Sequence, residues 1–123
     1  MTERIILKPY DSYGVATFVI HEHVVYIGHF GGSSDREGNK LLTIEAQTRQ
    51  TFSNLDEALQ QVGLSLKNLL KVTVILRHIA DFDAMHEVWK TFFPADHPVR
   101  TTITSDFVDA HCLIQIEGIA SAT

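Results

Sequence analysis

In this 123-residue chain, Arg100 is the residue whose type and setting speak most directly of chemistry. It lies in the run Val99-Arg100-Thr101-Thr102-Ile103, directly after Pro98. Alternation sets Val99, Thr101 and Ile103 on one face of a strand and Arg100, Thr102 and Thr104 on the other. A guanidinium is a permanent cation with a planar fork of donors. It can hold a carboxylate through two parallel, charge-assisted hydrogen bonds, each worth about 1.5–3 kcal/mol. The acid that would partner it is Glu117, in the alternating run from Cys112 to Ala120. If the last two strands form a hairpin that turns near residues 108 and 109, Arg100 falls opposite Glu117 and Thr102 opposite Gln115. Two readings stay open on that register. The pair is structural, contributing roughly 0–1 kcal/mol when exposed, or Arg100 clamps a substrate carboxylate while Glu117 holds or deprotonates a water.

Other reactive residues carry less. His21 and His23 are two apart and could share a side, but no third ligand accompanies them, and a solvated turn is the better reading. The single cysteine, Cys112, cannot form an internal disulfide and starts an apolar strand face, so it reads as packing. Gly31 and Gly32 lack the lysine and the following helix of a phosphate loop, which leaves nucleotide binding without support. Phe30, just before them, is either an apolar wall over a ligand or a core aromatic. Trp89 belongs to a helix stripe and reads as core.

The elements that must position these residues follow from periodicity. A short strand over residues 4–7 precedes two apolar runs, 14–20 and 24–28, joined at His21-Glu22-His23 as a hairpin. Residues 30–40 are an exposed loop of turn formers. Ile44, Thr48, Phe52, Leu55, Leu59 and Val62 share one helix face, and Gly63 ends that helix. Residues 69–78 alternate as a strand. Asp81 caps a second helix whose Met85, Val88, Trp89 and Phe92 form a stripe, closed by Pro94 and Pro98. Strands over 99–105 and 112–120 complete an α+β order of βββαβαββ, with the helices on one face of the sheet. The other face, read as Thr73, Ile75, Arg100, Thr102, Thr104, Leu113, Gln115, Glu117 and Ile119, is too apolar for open water and too polar for a core. Such a face usually meets a second copy of the chain.

Composition bounds the function. The formal charge of −5 offers no broad cationic surface for phosphates, which argues against a nucleic-acid partner. With 45% hydrophobic residues, 1–123 is expected to be one domain. The opening MTERIILKPY lacks a secretory pattern and no apolar run approaches the roughly 20 residues a membrane span needs, so a soluble cytoplasmic protein is expected.

The run IEAQTRQTFSNLDEALQQVGLSLKNLLKVTVIL (44–76), with DFDAMHEVWKTFF (81–93), HPVRTTI (97–103) and IQIEGIA (114–120), resembles the Rid family, also called YjgF-like or L-PSP endoribonuclease-like. The resemblance covers about three quarters of the chain. It implies a chorismate-mutase-like subunit with a mixed sheet, assembled as a homotrimer with clefts between subunits. It also implies deamination of 2-imino or enamine acids to 2-oxo acids and ammonia, with no metal or organic cofactor. Arg100 sits at the family's carboxylate-binding arginine, and Glu117 at the glutamate associated with the attacking water. Gly28, His29 and Phe30 stand where the family has Ser-Gly-Gln, so the serine hydroxyl is absent. Val15 takes the place of a common tyrosine, with Tyr10 and Tyr13 close by, and His86 stands where an asparagine is usual. Gly28, His29, Phe30, His86 and Thr102 are thus the expected lining of the substrate cleft. A metabolite-binding or regulatory protein without turnover is the alternative function. A ribonuclease ranks third, because the chain lacks an aromatic-basic stripe.

Overall fold

The computed structural model describes residues 1–123. Its elements are β1 (Thr2–Ile5), β2 (Phe18–His21), β3 (Val24–Gly31), α1 (Ile44–Gln60), β4 (Leu69–Leu76), α2 (Phe82–Phe92), β5 (Val99–Thr104) and β6 (Ile114–Ser121). The β2–β3 hairpin turns on Glu22 and His23, both at positive φ (51° and 69°), the backbone a two-residue turn needs to match strand twist. Thr43 caps α1 by accepting the Ala46 N–H at 3.1 Å, and Ile44, Thr48, Phe52, Leu55 and Leu59 are buried along one face. Beyond the helix Gly63 adopts φ +78°, the left-handed conformation that glycine takes without strain. Asp81 stands at the N-cap position of α2, but its side chain makes no capping bond. The backbone enters the helix instead through a turn of 3-10 helix over Ile79–Asp81.

All six strands form one sheet in the order β1-β2-β3-β6-β4-β5. Only β4 and β5 run parallel. The β4-α2-β5 segment is a strand-helix-strand crossover, which returns β5 parallel to β4 on its outer side. The expected β5–β6 hairpin is therefore wrong: β4 lies between those strands. Arg100 pairs with Val72, Thr102 with Val74 and Thr104 with Leu76, and these partners are buried, so all three side chains lie on the helix-covered face. Glu117 pairs with Thr73 and Gln115 with Ile75, on the open face. Arg100 and Glu117 consequently sit two strand spacings apart, roughly 10 Å, and on opposite sides of the sheet. The open face carries Val99, Thr101 and Ile103 in place of Arg100, Thr102 and Thr104, and Leu113 precedes β6. Its Tyr26, Val99 and Ile103 are 49%, 66% and 46% exposed. Nothing else in the chain covers it.

The long connection from β5 to β6 is held from beneath. Arg77 donates from Nε to the Cys112 carbonyl and from Nη2 to that of Asp109, both at 2.8 Å, with its guanidinium 5.2 Å from the Phe107 ring centre. Gln47, 1% exposed in α1, donates from Nε2 to the Leu41 and His111 carbonyls and accepts the Leu113 N–H at 2.8 Å. The sequence reading passed over it, although a glutamine three residues after Ile44, beside the apolar stripe, marks a polar group on a buried face. Gln47→Leu leaves those backbone groups without partners and is expected to lower stability by about 2–4 kcal/mol. Urea denaturation measures this, and an unchanged midpoint would contradict the role given to Gln47.

Candidate functional site

The candidate residues fall into two groups at different places in the fold. The first lies at the outer edge of the sheet, where α2 crosses β5. The half-buried Arg100 guanidinium sits 4.8 Å from the ring centre of Trp89 and 5.3 Å from that of Phe82. Such cation–π contacts contribute about 0.5–2 kcal/mol each and fix the plane of the fork. Nη1 stands 3.0 Å from His86 Nδ1, and the His86 ring lies parallel to Phe82 at 5.7 Å. No carboxylate approaches Arg100 within 4 Å. Burial lowers its pKa from the usual arginine value, yet a guanidinium stays charged throughout the range in which proteins fold. The edge therefore presents a partly desolvated, oriented cation with no anion of its own. Thr102 is half-buried two residues along, on the same face.

The second group surrounds an irregularity in β3. Ile27 pairs with Gly118 and Phe30 with Ile116, so two residues, Gly28 and His29, stand against the single Glu117. This is a β-bulge, which bends a strand and re-aims its side chains. Glu117 and His29 are exposed there. A Cβ added to Gly28 would meet only the Ala16 and Thr17 carbonyls, at 3.4 and 3.5 Å. A serine would fit, so the missing hydroxyl is a matter of sequence and not of space.

Beyond the start of β2 the far end of β3 borders a cavity of about 580 Å³. Tyr10, Tyr13, His29, Phe30 and Asn54 are among its lining residues. The Tyr10 hydroxyl donates to the His29 carbonyl at 2.6 Å. Burial, and secondly the neighbouring Tyr13, push its pKa up to about 12, so it remains a donor at physiological pH. Asn54 Nδ2 donates to the Gly31 carbonyl at 2.8 Å. Both tyrosines thus reach the region in which the family resemblance expects one. Phe30 is a core aromatic, buried against Phe18 with ring centres 6.0 Å apart, and it also lines the cavity. Cys112 is buried, donates to the Ile114 carbonyl at 3.0 Å, and has its thiol pKa raised chiefly by burial, which makes it a poor nucleophile. His21 is occupied by Thr2, with Nδ1 2.8 Å from Oγ1.

Of the expected lining, then, Arg100, His86 and Thr102 gather at one edge, and Gly28, His29, Phe30 and Glu117 at the bulge. One chain does not join them. One group offers a guanidinium with no carboxylate within 4 Å, the other an exposed carboxylate at the bulge.

Residues 4–122 match the family model described as Endoribonuclease L-PSP. The chain is 43% identical over 95 residues to Protein mmf2, mitochondrial, of Schizosaccharomyces pombe, which is 74% of this chain and 75% of that protein. It is 32% identical over 103 residues to the 2-iminobutanoate/2-iminopropanoate deaminase of Rattus norvegicus, 83% of this chain and 75% of that one. A solved structure from Mycobacterium tuberculosis, described as a member of the YjgF/YER057c/UK114 family, shares the fold with a TM-score of 0.85 at 21% identity, covering 98% of this chain and 99% of the other. No helix is long and apolar enough to cross a membrane.

Proposed function

Because the chain belongs to the Endoribonuclease L-PSP family, also known as the YjgF or Rid family, we propose that it hydrolyses reactive 2-imino and enamine acids to 2-oxo acids and ammonia. The observation that carries this reading is Arg100: a guanidinium oriented by two aromatic rings and left without a counter-ion. A small carboxylate supplies what that geometry lacks, through two parallel N–H···O bonds.

The chemistry that remains is modest. An enamine first tautomerises to its imine, gaining a proton on carbon and losing one from nitrogen. Water then adds to the C=N carbon, forming a C–O bond, and its first proton passes through Glu117 to the nitrogen. The resulting carbinolamine loses ammonia: the C–N bond breaks, the C=O bond forms, and the hydroxyl proton passes through Glu117 to the leaving nitrogen. Holding the carboxylate and aiming the water replaces a chance encounter with a positioned one.

Arg100 and Glu117 serve one substrate only if they come from two chains, since within one chain they lie on opposite faces of the sheet. The uncovered apolar face with Tyr26, Val99 and Ile103 supports self-association. We therefore place the reaction in clefts between the subunits of a homotrimer, with the β5 edge of one subunit facing the β3 bulge of its neighbour.

The test is ammonia release from 2-iminobutanoate generated in situ. Release faster than in buffer is expected, and rates equal to buffer across several side chains would remove the enzymatic reading. The absent hydroxyl at Gly28 favours, as a second reading, a cleft that binds a small carboxylate without turnover. Binding of a 2-oxo acid with no acceleration identifies that case.

A further inference from the structure

We infer that His86 is a proton-coupled positioning residue for Arg100: neutral, it aims the guanidinium, and protonated, it gives a bound carboxylate a second cationic donor. The inference rests on the carboxylate-anchor reading above. A guanidinium has donors and no acceptor, so the 3.0 Å contact between Arg100 Nη1 and His86 Nδ1 is a hydrogen bond only while Nδ1 carries no proton. The proton of the neutral ring is then on Nε2. Parallel stacking on Phe82, 8° from coplanar, holds the ring in that attitude. Arg100 is shared between the same Phe82 and Trp89, so anchor and histidine form one packed unit.

The surrounding charges do not compete for this role. From β5 it is Arg100 that faces the ring. On α2 itself, Asp83 and Lys90 stand about one turn away on either side, and Lys90 is paired with Glu87 at 3.0 Å. From α1, Glu45 and Arg49 border a different hollow, beside Glu87 and Val88. No carboxylate lies within 4 Å of His86.

Without ligand, protonating Nδ1 removes the acceptor that Arg100 uses and sets two cations side by side. A carboxylate in the fork reverses that balance, because it attracts both. Binding therefore takes up a proton, and by linkage affinity rises as pH falls through the imidazole range, between about pH 5 and 8. A small acid's own carboxylate stays ionised throughout, since it titrates near about pH 3.5. One proton taken up on binding changes affinity by up to tenfold per pH unit, so about a tenfold tightening is expected across that span.

The experiment is calorimetric titration of the intact protein with 2-oxobutanoate at about pH 5.5 and about pH 8, in buffers of different ionisation heat, for the wild type and His86→Asn. Asparagine places an acceptor oxygen where Nδ1 stands but does not titrate. The expected result is about tenfold tighter binding by the wild type at the lower pH with net proton uptake, and pH-independent binding with no uptake by His86→Asn, whose fold is checked by circular dichroism. A flat wild-type profile overturns the inference alone, as does proton uptake that persists in His86→Asn. No binding by the wild type at either pH removes the carboxylate-anchor reading and this inference with it.

Discussion

Arg100→Ala is expected to lower kcat/KM for a 2-imino acid by about two to four decades while the protein stays folded. Two charge-assisted hydrogen bonds to the substrate carboxylate disappear, roughly 3–6 kcal/mol in all, and each decade of rate corresponds to about 1.4 kcal/mol. The loss should extend to equilibrium binding of 2-oxo acids, because the same fork holds substrate and product. Arg100→Lys separates charge from geometry: a lysine keeps the cation but not the planar pair of donors, so most of the loss should persist. The fold should tolerate either change. Arg100 lies on an edge strand, makes no ion pair, and contributes mainly the packing of its guanidinium on Phe82 and Trp89. Steady-state kinetics with a thermal melt on the same samples decide the matter. Activity retained by a folded Arg100→Ala protein would exclude Arg100 as the anchor.

The second large effect concerns which chains build the site. Arg100→Ala and Glu117→Gln should each be nearly inactive alone, since a positioned acid or base contributes about two to four decades. Co-expressed with different tags and purified as mixed assemblies, they should regain activity. With random assembly, a cleft needs its arginine from a subunit carrying the Glu117 change and its glutamate from a neighbour carrying the Arg100 change. In a mixed trimer one cleft in three meets both conditions, whichever variant is in the majority. Opposite-face placement in one chain is what makes recovery possible. If verified mixed assemblies stay as inactive as their parents, the two residues do not meet across an interface. Sedimentation as a monomer would give the same answer more cheaply.

Much of this architecture is local and therefore legible. The stripe Ile44, Thr48, Phe52, Leu55 and Leu59 declared α1, and Met85, Val88 and Trp89 declared α2, because helix periodicity depends only on neighbours three and four residues away. The strand of Arg100 was equally plain, and so was the opposition of Arg100 to Val99, Thr101 and Ile103. Strand ends were less so: β2 begins at Phe18 where alternation had suggested residue 14, and β3 runs on to Gly31 through a bulge that no period announces.

Residue types and short-range spacing alone determined that this protein has two amphipathic helices, a sheet, and an arginine on the strand face opposite Val99, Thr101 and Ile103. Only the tertiary structure decided which strands are neighbours. The sequence invited a hairpin between β5 and β6, because a nine-residue connection joins them. The chain instead spends that connection on Arg77 and Gln47, which carry it past the end of β4 so that β6 enters on the far side. Pairing is a choice between distant segments, settled by loop anchorage and by which faces α1 and α2 can bury. With side chains alternating every residue, that choice sets the face each group occupies. It put Arg100 and Glu117 on opposite faces of the sheet instead of in an ion pair, and it left Arg100 beside His86 with no carboxylate within 4 Å.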